Sequence, residues 1–315
     1  MSNQVQIRGA LVLSALTAGL AACGDQKPEA SGTQNTPVVA QAPAPKPEPA
    51  PPSEMVMASS RAVPSTTATV RASYTDAETA FRNGKYGEAA ELFASYVEGR
   101  PQNAWGHYML GLAAWRSGDV ERAVGALTRA VENDPENVKA RINLGRVLLE
   151  QGRAQDALPH LEKAVALAPE AQGVWRVMGN IKSEIGYGDE AIDAYRKALV
   201  MDEKDTWSMN NYGLLLIQLG RHEEALSLLA RAVELKPGSP VFQNNLGVAL
   251  ERSGYLGGAE KAFAAALEAE PAYQKAAISL ERVKVRLNGS TGEEADLTSL
   301  ATSFIEDVKR WRESH

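Results

Sequence analysis

Few residues of this chain sit where covalent chemistry could be done. The single cysteine, Cys23, can make neither an intramolecular disulfide nor a metal cluster. His107, His160, His222 and His315 lie far apart with no ligand spacing. There is no phosphate-cradling glycine loop, no Gly-x-Ser-x-Gly elbow and no His-Glu-x-x-His. Asp and Glu are interspersed with Lys and Arg in the manner of solvated helix faces. Neither an enzyme nor a cofactor is expected. The residue types that could act are non-covalent binders: indoles, guanidinia and amides, each amide offering a donor and an acceptor. They recur between Trp105 and Val248 at spacings of three, four and seven, so helices must present them.

Those helices follow a strict beat of 34 residues from about Val70 to Tyr273. One series is Gly111, Gly145, Gly179, Gly213 and Gly247, with Ala77 in the earlier slot. A second is Gly84, Gly118, Gly152, Gly186, Gly220 and Gly254; a third is Ala89, Ala123, Ala157, Ala191, Ala225 and Ala259. A fourth is Pro101, Pro135, Pro169, Pro237 and Pro271, with Glu203 in the missing place. Glycine inside a helix costs about 1 kcal/mol against alanine, so the Gly111 series implies a close approach by a partner helix. The Ala123 series is expected to supply the small surface opposite. The Gly118 series closes a first helix in the left-handed conformation, and the Pro135 series stops a second one.

Period and residue types together resemble the tetratricopeptide repeat, a helix–turn–helix unit that stacks into a solenoid. The resemblance implies an all-α, right-handed superhelical solenoid of about six repeats over residues 72–287, closed by a capping helix at Gln274–Leu287. The first repeat is degenerate at Ser73 and Tyr74. In such solenoids the first helix of each repeat lines a concave groove, which implies a list of groove residues. They are Trp105, Tyr108 and Trp115; Lys139, Asn143 and Arg146; Arg176 and Asn180; Trp207, Asn210 and Asn211; Asn244 and Asn245. The groove so read grades from aromatic through basic to amide-rich, and the asparagine pairs could grip an extended backbone. Its basic residues favour an acidic segment or a carboxylate end. Trp105, Tyr108 and Trp115 either belong to this groove or pack between repeats. Arg176, Asn180 and Asn211 match half of the carboxylate clamp of repeat-containing co-chaperones. Val241 and Asn245 stand where its other basic residues would be, so a complete clamp is not expected.

Ahead of the array, Arg8 and the apolar stretch Gly9–Ala22 have the form of a signal peptide and are too short to span a membrane as a helix. Leu20-Ala21-Ala22-Cys23 resembles the lipobox of bacterial lipoproteins. That implies removal of residues 1–22, acylation of Cys23 and anchorage in a lipid bilayer facing the periplasm. Gly24 rather than Asp after the cysteine favours the outer over the inner membrane. Residues 23–71, rich in Pro and Ala, read as a disordered tether.

The net charge of −6 argues against a nucleic-acid partner. Past a turn at Asn288–Gly292, the segment 288–315 carries a helical stripe of Leu297, Leu300, Ala301, Phe304, Ile305, Val308 and Trp311. That stripe must cover itself against the array, in the groove or on a partner helix. The expectation is a membrane-anchored scaffold holding a protein or peptide in its groove, of the kind that pilots pilus or secretin subunits or recruits peptidoglycan enzymes. The alternatives are an accessory binding subunit of an envelope glycosyltransferase or polysaccharide-export enzyme, and a self-associating repeat protein forming a homodimer.

Overall fold

A computed structural model describes residues 73–314. Cys23, the apolar stretch before it and the proline-rich stretch after it lie outside the described residues. Among those described there are fourteen α-helices and no strands. Six hairpins follow one another: α1 (Tyr74–Arg82) with α2 (Tyr86–Glu98), α3 (Ala104–Ser117) with α4 (Val120–Asn133), and α5 (Val138–Glu150) with α6 (Ala154–Leu167). Then come α7 (Gln172–Glu184) with α8 (Gly188–Met201), α9 (Thr206–Gln218) with α10 (His222–Leu235), and α11 (Pro240–Arg252) with α12 (Leu256–Ala269). A single helix, α13 (Gln274–Leu287), and the tail helix α14 (Leu297–Glu313) complete the chain. The odd-numbered helices through α13 are termed A-type and the even-numbered ones through α12 B-type.

Each A-type helix from α1 to α11 packs on its own B-type partner, each B-type helix on the next A-type one, and successive A-type helices touch from α3 to α13. The glycine beat makes this possible. A Cβ added to Gly111 would come within 2.6 Å of Leu127, one on Gly179 within 2.6 Å of the Tyr195 ring, and one on Gly247 within 2.7 Å of Phe263. Gly145 and Gly213 face Leu161 and Leu229 in the same way. The glycines therefore receive large side chains one register along the B-type helix. This corrects the expectation that the Ala123 series faces them; those alanines are buried, but the close approach serves a knob in a hole rather than two small surfaces. Each such knob is fully buried, and burial of a side chain that size is worth about 1.5–3 kcal/mol.

Turns are fixed by local chemistry. The glycines that end the A-type helices, Gly84 through Gly254, all have φ between 70° and 91°, a region that costs other residues strain. Asn288, one period after Gly254, continues the series with φ 47°; asparagine is the side chain that best tolerates that region. The N-termini of α3, α5, α9 and α11 are capped by Asn103, Asn137, Asp205 and Ser239. A further brace spans the inter-repeat loops. His107 Nε2 lies 3.0 Å from the Pro101 carbonyl, Arg141 donates to that of Pro135, Trp175 to that of Pro169 and Gln243 to that of Pro237. Four chemically different side chains thus serve one purpose at one register.

The two ends of the stack are finished differently. Ser73 caps α1, and Tyr74 packs edge-on against Phe93 and Tyr96 while its hydroxyl accepts from Trp105 Nε1 at 2.6 Å. The degenerate first repeat is thus a built end. At α13 the glycine register is taken by Glu281, exposed and paired with Lys284, so no further B-type helix could seat there. Glu251 of α11, itself buried, ties α13 down through Arg282 and Arg286.

The tail helix does not enter the groove. It lies across α10 and α8, on the B-type side, with Ala301, Phe304 and Val308 buried. The segment that turns it back passes so close to α12 that Gly257 and Gly292 meet backbone to backbone, and the Glu293 carbonyl accepts from Gly257 N and Gly258 N. At the far end Arg312 reaches the Val200 carbonyl, at the C-terminus of α8, and pairs with Glu203 at 3.0 Å. Glu203 is the residue that interrupts the proline series, so the one break in that beat marks where the tail is latched.

Candidate functional site

On the A-type face the structure separates the sequence-derived residues into two layers. Tyr108, Asn143, Asn180, Asn210, Asn211, Asn244 and Asn245 are all 7% exposed or less. The amides bond to one another along the stack. Tyr195 donates its hydroxyl proton to Asn180 Oδ1 at 2.8 Å, and Asn211 Nδ2 donates to the same oxygen at 2.9 Å. Asn210 donates to Asn211, Asn245 to Asn210 and Asn244 to Asn245, at 3.0, 3.0 and 3.3 Å. Asn143 Nδ2 donates to the Tyr108 hydroxyl at 3.0 Å. The reading of the asparagine pairs as grips on an extended backbone is therefore corrected: they brace one A-type helix against the next. The physical reason is crowding. Each internal A-type helix is flanked by its B-type partner and by A-type neighbours on both sides, so more of its circumference is buried than one amphipathic stripe suggests. The half-clamp of Arg176, Asn180 and Asn211 is closed off as well, its two amides by these bonds and Arg176 by Asp205.

The second layer is open. Trp105, Trp115, Arg146, Arg176 and Trp207 are partly exposed and Lys139 is exposed. The indoles are themselves engaged: Trp105 with Tyr74 and Tyr108, Trp115 Nε1 with Glu150 at 2.6 Å, and Trp207 edge-on to Phe242. They pack between repeats while keeping part of the ring at the surface. Arg176 donates through Nη1 to both oxygens of Asp205, and Asp205 in turn caps α9 and accepts from Ser208 Oγ at 2.6 Å. Its guanidinium is thereby fixed in place.

Arg146 differs. Among the described residues its one hydrogen bond runs from Nη1 to Asn143 Oδ1 at 3.4 Å, the long limit of such a contact. Burial, and then the neighbouring charge of Arg176, lower its pKa to about 10, against the weaker opposing pull of Tyr108 and Asp205. Burial likewise pushes Tyr108, its neighbour, up to about 12. Among the described residues the carboxylate that acts on Arg146 is that of Asp205, which Arg176 already holds through both oxygens.

Two features escaped sequence reasoning. One is the tie of Glu251 to Arg282 and Arg286, for which the sequence carries no signal beyond charge. The other is a cavity of about 210 Å³ under the tail helix, lined by Arg196, Tyr212, Glu224, Ser227, Asp307 and Trp311 among others. Arg196 stacks over Trp311 there at 5.5 Å. Burial holds the Asp307 carboxyl above its usual range, opposed by Arg310 and Arg196 and reinforced by Glu224. Among the described residues no group of three or more His, Cys, Asp or Glu could hold a metal ion, and no helix is long and apolar enough to cross a membrane.

Fold and face together define a helical-repeat solenoid with a braced, partly basic A-type surface. The chain carries tetratricopeptide repeats: one model described as tetratricopeptide repeat matches residues 108–171 and 179–240, and another matches residues 80–135. No curated protein matches it. Among solved structures it resembles TTC0263, a thermophilic tetratricopeptide-repeat protein of Thermus thermophilus. That match has 21% identity and a TM-score of 0.51, over 58% of this chain and 99% of the other. Yeast Tom70 aligns at 20% identity and a TM-score of 0.52, over 64% of this chain and 44% of Tom70. MamA of Desulfovibrio magneticus RS-1, from its residue 41 onward, aligns at 23% identity and a TM-score of 0.48, over 52% and 92%. At these identities the likeness is one of fold.

Proposed function

We propose that this protein is a scaffold that holds a segment of another protein on its A-type face, tethered to the periplasmic side of a bacterial membrane through an acylated Cys23. The observation that carries the binding role is the two-layer face. A floor of mutually bonded amides fixes the backbone of successive A-type helices, and above it Trp105, Lys139, Arg146, Arg176 and Trp207 keep surface in solvent. A floor that cannot relax limits the ordering entropy lost when a ligand binds. The tail helix occupies the opposite side and leaves this face uncovered. The lipid anchor, the outer-membrane preference and the role in an envelope complex, whether pilus or secretin piloting or recruitment of peptidoglycan enzymes, rest on the Leu20–Cys23 motif and the proline-rich stretch that follows it.

Affinity capture from native envelope, with the full chain in detergent, tests the binding role. Trp105→Ala with Trp207→Ala should lose specific prey while the helical content is kept. Prey retained by that double variant would sink the reading. Metabolic labelling with a palmitate analogue tests the anchor: label is expected on the natural chain and lost in Cys23→Ala, and an unlabelled natural chain would remove it.

A further inference from the structure

We propose that the segment held on the A-type face is acidic, and that one of its side-chain carboxylates pairs with Arg146. This rests on the scaffold reading above and names the chemistry of its ligand. One guanidinium on this face lacks a carboxylate of its own. Arg176 holds both oxygens of Asp205, while Arg282 and Arg286 share Glu251. Arg146 has Asn143 at 3.4 Å and, among the described residues, no carboxylate within ion-pairing distance. Arg176 lies near enough to repel it, and Asp205 answers one of the two charges.

A partly buried guanidinium with no carboxylate of its own is costly to keep. A ligand that supplies a carboxylate relieves that cost, and this attraction exists before any ligand arrives. Arginine has five N–H donors in a planar fork, and one of them is directed to Asn143. The remainder leave room for a two-point contact to a carboxylate. Asn143 and Tyr108, bonded to each other, form the rigid floor beside it. Lys139, exposed two turns earlier on α5, adds positive potential. Trp105 lies toward one end of the array and Trp207 toward the other, so the fitting segment has acidic residues with apolar ones on either side. A free C-terminal carboxylate is not required, because the amides that could have clasped one, Asn180 and Asn211, are buried and bonded to each other.

The test uses the full chain in detergent and three peptides blocked at both ends. They are equal in length, flanked by Trp and Leu, and have cores of Glu, Gln or Lys. Fluorescence anisotropy should show the Glu peptide binding about tenfold tighter than the Gln one, with the difference shrinking at about 0.5 M salt. Arg146→Gln should erase the preference with melting behaviour retained, and Arg146→Glu should turn it toward the Lys peptide. Equal binding of the three peptides, no binding of any, or a preference that survives Arg146→Gln overturns the proposal. The scaffold reading fails separately. Envelope prey retained by Arg146→Gln but lost with the Trp105 and Trp207 double variant keeps the scaffold and removes the acidic ligand.

Discussion

Single side chains decide two things in this molecule: whether a helix pair can close, and where charge is left over. Gly179 receives the Tyr195 ring so closely that even a methyl group would fall 2.6 Å from it. Gly179→Leu should therefore lower stability by about 1–3 kcal/mol, the usual range for an overpacked core. Circular dichroism melting would show it, and an unchanged melt would remove this account of the glycine beat. Arg146 makes the opposite case. Its charge is partly buried and answered only by the Asp205 carboxylate that Arg176 already holds, so Arg146→Met should raise stability by roughly 1 kcal/mol, about 2–4 °C in the melt for an array of this size. A gain in stability with a loss of acidic-peptide binding is the signature of a functional residue rather than a structural one. A lowered melting temperature would instead make Arg146 part of the packing.

Among the elements, each of the two that end the array involves a partly or fully buried carboxyl, and those two carboxyls respond to pH in opposite directions. Glu251 ties down α13. Burial alone would raise its pKa, but the bonds and charge of Arg282, followed by those of Arg286, carry it below the usual value. A depressed carboxyl contributes stability above its unfolded pKa and loses it as pH falls through the folded one. Glu251→Gln should loosen α13 by about 2 kcal/mol, the scale of charge-assisted hydrogen bonds, seen as faster hydrogen exchange in residues 274–287. Asp307 in α14 is the reverse case. Burial raises its carboxyl, while Arg310 and Arg196 oppose the shift and Glu224 adds to it. A raised carboxyl favours the docked form at low pH, and that advantage is lost as pH rises through the folded pKa. The protection of residues 297–313, measured as exchange relative to its intrinsic rate at each pH, should therefore fall as pH rises above the ordinary carboxylate range. Asp307→Asn should keep that protection constant, and protection independent of pH in the natural chain would count against the assignment.

For the molecule as a whole, the tail covers apolar surface on α8 and α10 that the repeats themselves do not need. Leu228, for example, is buried on α10, where the equivalent positions in the second, third, fourth and sixth repeats are Ala126, His160, Ala194 and Ala262 and only the terminal first repeat also has a leucine, Leu92. Removing residues 288–315 should leave the array folded but associating, because an exposed apolar face of that kind seeks cover. Light scattering is expected to give a monomer for the complete array and larger species for the truncated one. A dimer that dissociates on truncation would mean that the tail acts between chains.

The period of 34 residues, the helices and their turns are local matters, and the sequence by itself determined them. Glycine at one register, proline at another and helical spacing between them leave a single repeated hairpin as the consistent solution. It also carried the amphipathic tail, since a stripe such as Phe304, Val308 and Trp311 is a property of one helix. What no single helix contains is which of its sides the neighbours will cover. Asn210 and Asn244 read as polar and outward from their own helices, yet the flanking A-type helices bury them, and their amides become braces. Arg146 and Arg176 read as equivalent basic residues until Asp205, from the next repeat, neutralises one of them. The address of the tail was written in the sequence as Glu203 in place of a proline. It became legible only when Arg312, far away along the chain, was brought beside it, because an ion pair between distant segments leaves no periodic trace.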